Sequence, residues 1–300
     1  MNKLQGLFIS MLLATAALTS AGSGPTIETK ASEDENSRDL VSLESTYTFS
    51  SDFRDDNDKL GDGDSLYTEF SYDHRFLIKG NWYFRLGVEY DRFEFGNQGE
   101  GLPDHLQAAY AHVALEYVVH DHPAVGLELD PGVYFQNHIS EDAIDAPWRV
   151  FVTFPLKKDK VFAVVAMGGA LYQDPIVAPG GGIIWLISDN VRLQGVFPKP
   201  ALVYNPSDDW DIRLMGELVY ESFRTDDVIT PLNKLQVHNA IVQYNEDRVG
   251  AQVSYSGCKP FTITAGGGLT LLRQFDFFRH GVRERTDPAP YARVVVEAKF

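Results

Sequence analysis

The stretch Tyr291 to Phe300 constrains the fold more than any other part of this chain. Side chains of a strand alternate between its two faces. One face of this stretch carries Ala292, Val294, Val296, Ala298 and Phe300, and the other Tyr291, Arg293, Val295, Glu297 and Lys299. The run ends on a phenylalanine with no turn residue after it. Two solutions fit such a strand. It is the edge of a soluble β-sandwich, or it belongs to a barrel in lipid, whose outer face is apolar and whose inner face is wet. Two other stretches favour the barrel. Over 82–91, Trp82, Phe84, Leu86, Val88 and Tyr90 share one face, and Arg85, Glu89 and Asp91 the other. Over 210–221, Trp210, Ile212, Leu214, Leu218 and Tyr220 oppose Asp211, Arg213, Glu217 and Glu221. Both apolar stripes begin with Trp and end with Tyr, as two membrane interfaces would select.

The terminal Phe and the alternation before it resemble the C-terminal strand of bacterial outer-membrane β-barrels. The resemblance implies that the barrel-assembly machinery reads Phe300 as an assembly signal. Ala292 stands where a second outward aromatic is usual in those proteins.

Residues 1–21 read as a cleaved export signal, with Lys3 ahead of the apolar run Leu7–Leu18 and Thr19-Ser20-Ala21 at the cleavage positions. That run is shorter than the roughly 20 residues a spanning helix needs. Residues 22–38 form a polar leader without periodicity, expected to be disordered. Residues 39–300 are then the barrel. Cys258 is the one cysteine, which excludes an internal disulfide. A net charge of −16 argues against nucleic acid as a partner. Membrane lipid is the partner a barrel of this kind implies, and the assembly machinery is the one the resemblance implies.

The pattern reads as strands over 40–51, 64–78, 81–95, 105–119, 124–137, 147–156, 160–173, 179–187, 190–205, 209–222, 234–245, 248–256, 260–274 and 290–300. Most are longer than the 5–6 residues common in soluble sheets and meet the roughly 9–11 of a tilted membrane strand. The expected fold is an all-β, antiparallel up-and-down barrel of about 12–14 strands in the outer membrane of a Gram-negative-type bacterium. Short turns and longer links alternate, except that 223–233 is long where a turn is due and Asn245-Glu246-Asp247 short where a loop is due. The segment from Pro179 to Trp210, with Pro179, Gly181, Trp185, Pro198 and Tyr204, resembles an uncharacterised family of bacterial outer-membrane β-barrel proteins, a domain of unknown function. That resemblance implies fold and location, and no activity.

The inward faces hold charges of both signs: Arg85, Glu89, Glu116, Glu128, Arg149, Arg192, Arg213, Glu217, Arg293 and Glu297, with Glu69 and Arg273 beside them. They are candidate lumen-lining residues. One reading is a salt-bridge network that fills the lumen, since unpaired charges would be costly there. Another is a polar path for small solutes. A passive channel for small solutes is the preferred role, by elimination. A structural or surface-binding barrel with a closed lumen is the alternative, and a barrel-embedded lipid hydrolase a third. No enzymatic activity is expected, because no nucleophile motif surrounds Ser254 or His238. No cofactor or metal is expected either. His120-Asp121-His122 sits where a turn is needed, Gly180-Gly181-Gly182 and Gly266-Gly267-Gly268 lack the Lys-Ser/Thr of a phosphate loop, and the acidic run 52–64 lacks calcium-loop spacing.

Overall fold

Where lipid surrounds a backbone, every N–H and C=O has to be paired inside the protein. The long alternating runs meet this demand by pairing edge to edge until the sheet closes. The computed structural model describes residues 39–300 apart from 56–57, 97–101, 120–121, 158–159, 227, 230–235 and 238. The signal and leader expected over 1–38 lie outside the described residues.

The chain is a closed antiparallel barrel of 14 strands. They are β1 Asp39–Asp55, β2 Asp58–Lys79, β3 Trp82–Phe95 and β4 His105–Val119. β5 has two pieces, His122–Leu129 and Gly132–Phe135, and so has β6, Ile144–Asp145 and Trp148–Lys157. β7 Val161–Gly169, β8 Val177–Ser188, β9 Val191–Val196 and β10 Ala201–Ser207 follow. β11 is Trp210–Arg224, β12 Ile241–Cys258 and β13 Phe261–Phe277. β14 runs through Val282–Thr286 and Ala289–Lys299. Each strand pairs with the next, and β14 returns to β1 from Leu40↔Lys299 to Thr48↔Tyr291. The Asp39 and Phe300 backbones exchange hydrogen bonds at 3.2 and 2.9 Å and complete the ring. Phe300 itself is exposed on the outside.

The strand count matches the sequence reading, but two strands differ. The span 190–205 is two short strands, β9 and β10, folded back at 197–200, where Pro198 and Pro200 cannot donate to a ladder. Residues 241–245 and 248–256 of those two spans are one strand, β12, because Asn245-Glu246-Asp247 pairs on both sides and is no turn. The two differences together restore the alternation: 225–240 is a long connection, as its place in the order requires. Most of 52–63 is paired strand as well.

The barrel has two zones with opposite polarity. Around the short-turn end and the middle, the outside is apolar: Leu86, Val88, Leu127, Val165, Ile183, Leu214 and Val294 are all exposed by 45–59%. Soluble monomers rarely present so continuous an apolar belt. Trp82 packs on Tyr117 and Trp210 on Tyr255 at the short-turn border of the belt. Toward the long-loop end the polarity reverses. In β3, Arg92 and Glu94 pair on the outside at 2.8 Å, while Phe93 and Phe95 point in and are buried. There the interior is an aromatic core of Phe53, Phe93, Phe95, Phe223, Tyr244, Phe275 and Phe277, with ring centroids 4.8–6.1 Å apart in the pairs Phe95–Phe275, Phe93–Tyr244 and Phe53–Phe275.

The long-loop end is also pinched. The second piece of β5 pairs with β4 and touches β11 in parallel, Arg224 beside Phe135. Gln136 N–H donates to the Arg224 carbonyl at 3.0 Å. β6 to β10 are thereby shut out of the perimeter at that level. They enclose a smaller core of Phe151, Phe162, Val164, Ala166, Ile184 and Val196. Gly126 makes room for it, since a Cβ there would meet the Phe151 ring at 2.3 Å.

The polarity of the two zones is testable. Leu214→Arg, in the apolar belt, is expected to lower folding stability in lipid vesicles by about 2–4 kcal/mol. Arg92→Ala, on the charged outer zone, is expected to change it by less than about 0.5 kcal/mol. Denaturant refolding followed by tryptophan fluorescence measures both.

Candidate functional site

Inward positions of β1–β4 and β8–β14 enclose a cavity of about 1560 Å³. The turns at 188–190, 207–210 and 259–261 border it at the short-turn end. It stops at Tyr67 and Tyr110, directly below the aromatic core. Among the described residues, the cavity ends there at the long-loop end.

Seven of the ten sequence-predicted interior residues border this cavity: Arg85, Glu89, Arg192, Arg213, Glu217, Arg293 and Glu297. The other three are buried behind its wall. Glu116 accepts from Arg85 at 2.5 Å and lies 3.6 Å from Arg75. Glu128 and Arg149 pair with each other between β5 and β6. Arg213 is 2.6 Å and Arg192 3.7 Å from the one carboxylate of Asp211.

The centre of the interior is a network that sequence reasoning only half found. Glu217 faces Arg248 at 3.3 Å, Arg293 at 3.1 Å and Lys199 at 3.1 Å. Arg248 also holds Glu246 at 2.7 Å, and Arg293 pairs with Glu44. Glu246 and Arg248 are buried almost completely. They were missed because a turn was expected at 245–247. Read as one strand, β12 carries Tyr244, Glu246, Arg248, Gln252 and Ser254 in the inward phase, so the signal was present in the sequence. Lys199 reaches the network from the tip of the β9–β10 hairpin.

A second group lies on the β2–β3 wall. Glu69, Glu89 and Asp91 bring one carboxylate oxygen each within 4.8 Å of one another. Tyr67 donates to Glu69 and Asp91, both at 2.9 Å, and Tyr110 to Glu89 at 2.5 Å and Asp91 at 3.1 Å. The hydroxyls that cap the cavity thus also hold this acidic layer. Next to it, His112 Nδ1 is 2.7 Å from Asp130.

The remaining sequence candidates do not assemble. Ser254 accepts a hydrogen bond from Thr264 at 2.7 Å, and His238 lies outside the described residues. His120 and Asp121 lie outside them as well. The acidic run 52–64 is spread along a paired hairpin, where Lys59 and Arg54 meet Asp52 at 2.8 and 3.5 Å. Cys258 is free and exposed.

Comparison with solved structures gives the class of fold. The chain is similar to an outer-membrane channel from Pseudomonas putida F1, at 7% identity and a TM-score of 0.52, over 93% of this chain and 100% of that one. It is also similar to the Pseudomonas putida toluene transporter TodX, at 10% identity and a TM-score of 0.37, over 96% and 97% of the two chains. The first of these establishes a fold shared with bacterial outer-membrane β-barrels. No protein-family model matches the sequence, and no curated protein does. The resemblance of Pro179–Trp210 to an uncharacterised family therefore has no matching model behind it.

The central network has a mechanical consequence. Removing one partner of a buried ion pair strands the other charge and costs about 3–5 kcal/mol. Arg248→Met, which strands Glu246 and removes one of the three cations around Glu217, is expected to fall in that range. Glu297→Gln, half-buried at the cavity wall, is expected to cost under about 1 kcal/mol. Denaturant midpoints of the refolded barrel in vesicles separate the two.

Proposed function

We propose that this protein is a channel for small polar solutes in a bacterial outer membrane, held closed at its long-loop end. The observation that carries the reading is the polar cavity of about 1560 Å³ that enters from the short-turn end and stops at an aromatic layer. A barrel that only filled its lumen for strength would have no use for such a space. In this reading the short-turn end, with the chain terminus, faces the periplasm, as short turns do in barrels of this kind. The aromatic core is the gate, and the ion pairs keep the wall below it polar yet fixed. No chemistry is assigned to the interior.

Planar-bilayer recording tests the reading. Wild-type protein is expected to conduct rarely. A Phe93→Ala, Tyr244→Ala double variant, which opens the layer, is expected to raise open probability or unit conductance severalfold. Arg213→Ala is expected to shift ion preference of that opened channel toward cations. If the opened variant migrates as a folded, heat-modifiable barrel and stays silent, the channel reading fails. The alternative then holds: a structural or surface-binding barrel whose salt-bridged interior is closed for good.

The assembly signal is a separate proposal. Phe300 is 60% exposed beside the ladder that closes the ring, and we infer that the assembly machinery reads its ring there. Deleting Phe300 is expected to slow insertion, with unassembled chain accumulating in a pulse-chase, while the stability of the inserted barrel changes little. Insertion at the normal rate removes the proposal.

A further inference from the structure

Among the described residues, one side chain of the cavity wall is built like a metal ligand. His112 is 4% exposed, and its Nε2 has no hydrogen-bond partner although the ring borders the cavity. Its Nδ1 lies 2.7 Å from Asp130 Oδ1. Asp130 is fully buried, and its carboxylate accepts from Nδ1, so in the neutral ring Nδ1 carries the proton and the buried Nε2 keeps its lone pair. A carboxylate behind a histidine is the usual support of a metal-bound imidazole: it fixes the tautomer, aims the ring and raises its basicity.

A second donor stands in the same row. Asp73 pairs with Gly87 across β2–β3, and Gly87 pairs with His112 across β3–β4. Neighbouring strands are about 4.8 Å apart, and the residue between the two has no side chain. The Asp73 carboxylate uses that space: a Cβ on Gly87 would meet Asp73 Oδ1 at 2.2 Å. Asp73 Oδ1 is itself buried and has no partner, and Asp73 also borders the cavity. A carboxylate oxygen and an imidazole nitrogen, both without a hydrogen-bond partner, thus belong to the two strands on either side of one glycine. The nearest arginine along β3, Arg85, is engaged with Glu116 at 2.5 Å. Deeper on the same wall, Glu69, Glu89 and Asp91 add negative potential.

We propose that His112 Nε2 and the Asp73 carboxylate bind a divalent transition-metal cation that reaches them through the cavity, with Asp130 as the positioning residue and water completing the shell. Imidazole with carboxylate suits zinc, copper or nickel. Two protein ligands make a labile site, so the ion exchanges with the cavity. The site stands whether or not the barrel conducts, because binding is read at equilibrium.

The experiment is titration of the full-length, detergent-folded barrel with Cu²⁺, followed by electron paramagnetic resonance, with Zn²⁺ competition by calorimetry. Wild-type protein is expected to take one Cu²⁺ with imidazole-nitrogen hyperfine splitting, displaced by Zn²⁺. His112→Gln is expected to lose the nitrogen signature of that ion and at least tenfold in affinity. Asp130→Asn is expected to keep the signature and weaken binding roughly 10–100-fold, as loss of an outer-shell partner does. The proposal is overturned if wild-type protein takes no stoichiometric Cu²⁺, or if His112→Gln binds unchanged through surface histidines. If His112→Gln does not fold, Asp73→Asn decides, and unchanged affinity there overturns it equally.

Discussion

Everything in this molecule depends on closing a ring of backbone hydrogen bonds. In hydrocarbon an open sheet edge costs several kcal/mol per unpaired group, so a barrel is closed or it is not a membrane protein. The closing ladder between β1 and β14 meets that demand from Leu40 to Thr48 and again at Phe53–Arg54, with Asp287 N–H donating to the Asp52 carbonyl at 2.9 Å between the two stretches. The demand is harder to meet where the β9–β10 hairpin stops short. Val177–Gly181 of β8 and the loop-end half of β11 have no described ladder between them. The hairpin tip bridges them instead: Phe197 N–H donates to the Gly181 carbonyl at 3.3 Å, and Gly216 and Leu218 N–H donate to Pro200 and Pro198 carbonyls at 2.8 and 3.0 Å. Two prolines that cannot donate are well placed here, because only their carbonyls are needed. Above the tip, the Tyr220 hydroxyl reaches over to the Asp174 carbonyl at 2.8 Å.

Closure then dictates what the interior has to do. A ring of 14 strands is wider than one that side chains alone fill, yet narrower than open porins. The chain resolves this in two ways at two heights. Within the apolar belt, charges of both signs pair across the lumen and leave a polar space. Beyond the belt, β5 is drawn against β11, the perimeter shrinks, and aromatic rings fill the smaller cross-section. The same strands change from a membrane logic, apolar outside, to a soluble one, apolar inside. β3 does it without a break, between Tyr90 facing out and Phe93 facing in. β1 has a register shift between Thr48 and Ser51 at that level, and the β12–β13 pairing another at Asp247–Arg248. Both bulges reset the phase of the residues beyond them.

That reversal sets how much was legible in the sequence. Alternation identified the barrel, the strand faces and the inward position of Arg85, Glu217 and Arg293, because inside the belt polarity and facing agree. It misjudged the ends of strands, because at and above the border of the belt polarity and facing no longer agree while the ladder continues. Asn245-Glu246-Asp247 looked like a turn for that reason, and most of 52–63 looked like a loop. The aromatic core went unseen for the converse reason. Phe93, Phe95, Phe275 and Phe277 are as apolar as the lipid-facing residues, and only their phase relative to Arg85 and Glu89 on β3 and to Arg273 on β13 marks them as internal. The pinch between β5 and β11 has no local signature. It is a contact between strands far apart in order, fixed by Gln136, Arg224 and the connections around them.

The interior network therefore does more than balance charge. Glu217 lies where β11 enters the pinch, and it gathers Arg248 from β12, Arg293 from β14 and Lys199 from the hairpin tip. Four parts of the wall are tied to one carboxylate directly below the aromatic layer. A shift of the hairpin tip pulls on the same carboxylate that orients Arg248, and Arg248 holds Glu246, which accepts from the Tyr244 hydroxyl at 2.9 Å. Tyr244 is a ring of the aromatic core itself. The polar floor and the apolar plug are thus one hydrogen-bonded unit. Any motion that parts the rings has to carry this chain of contacts with it.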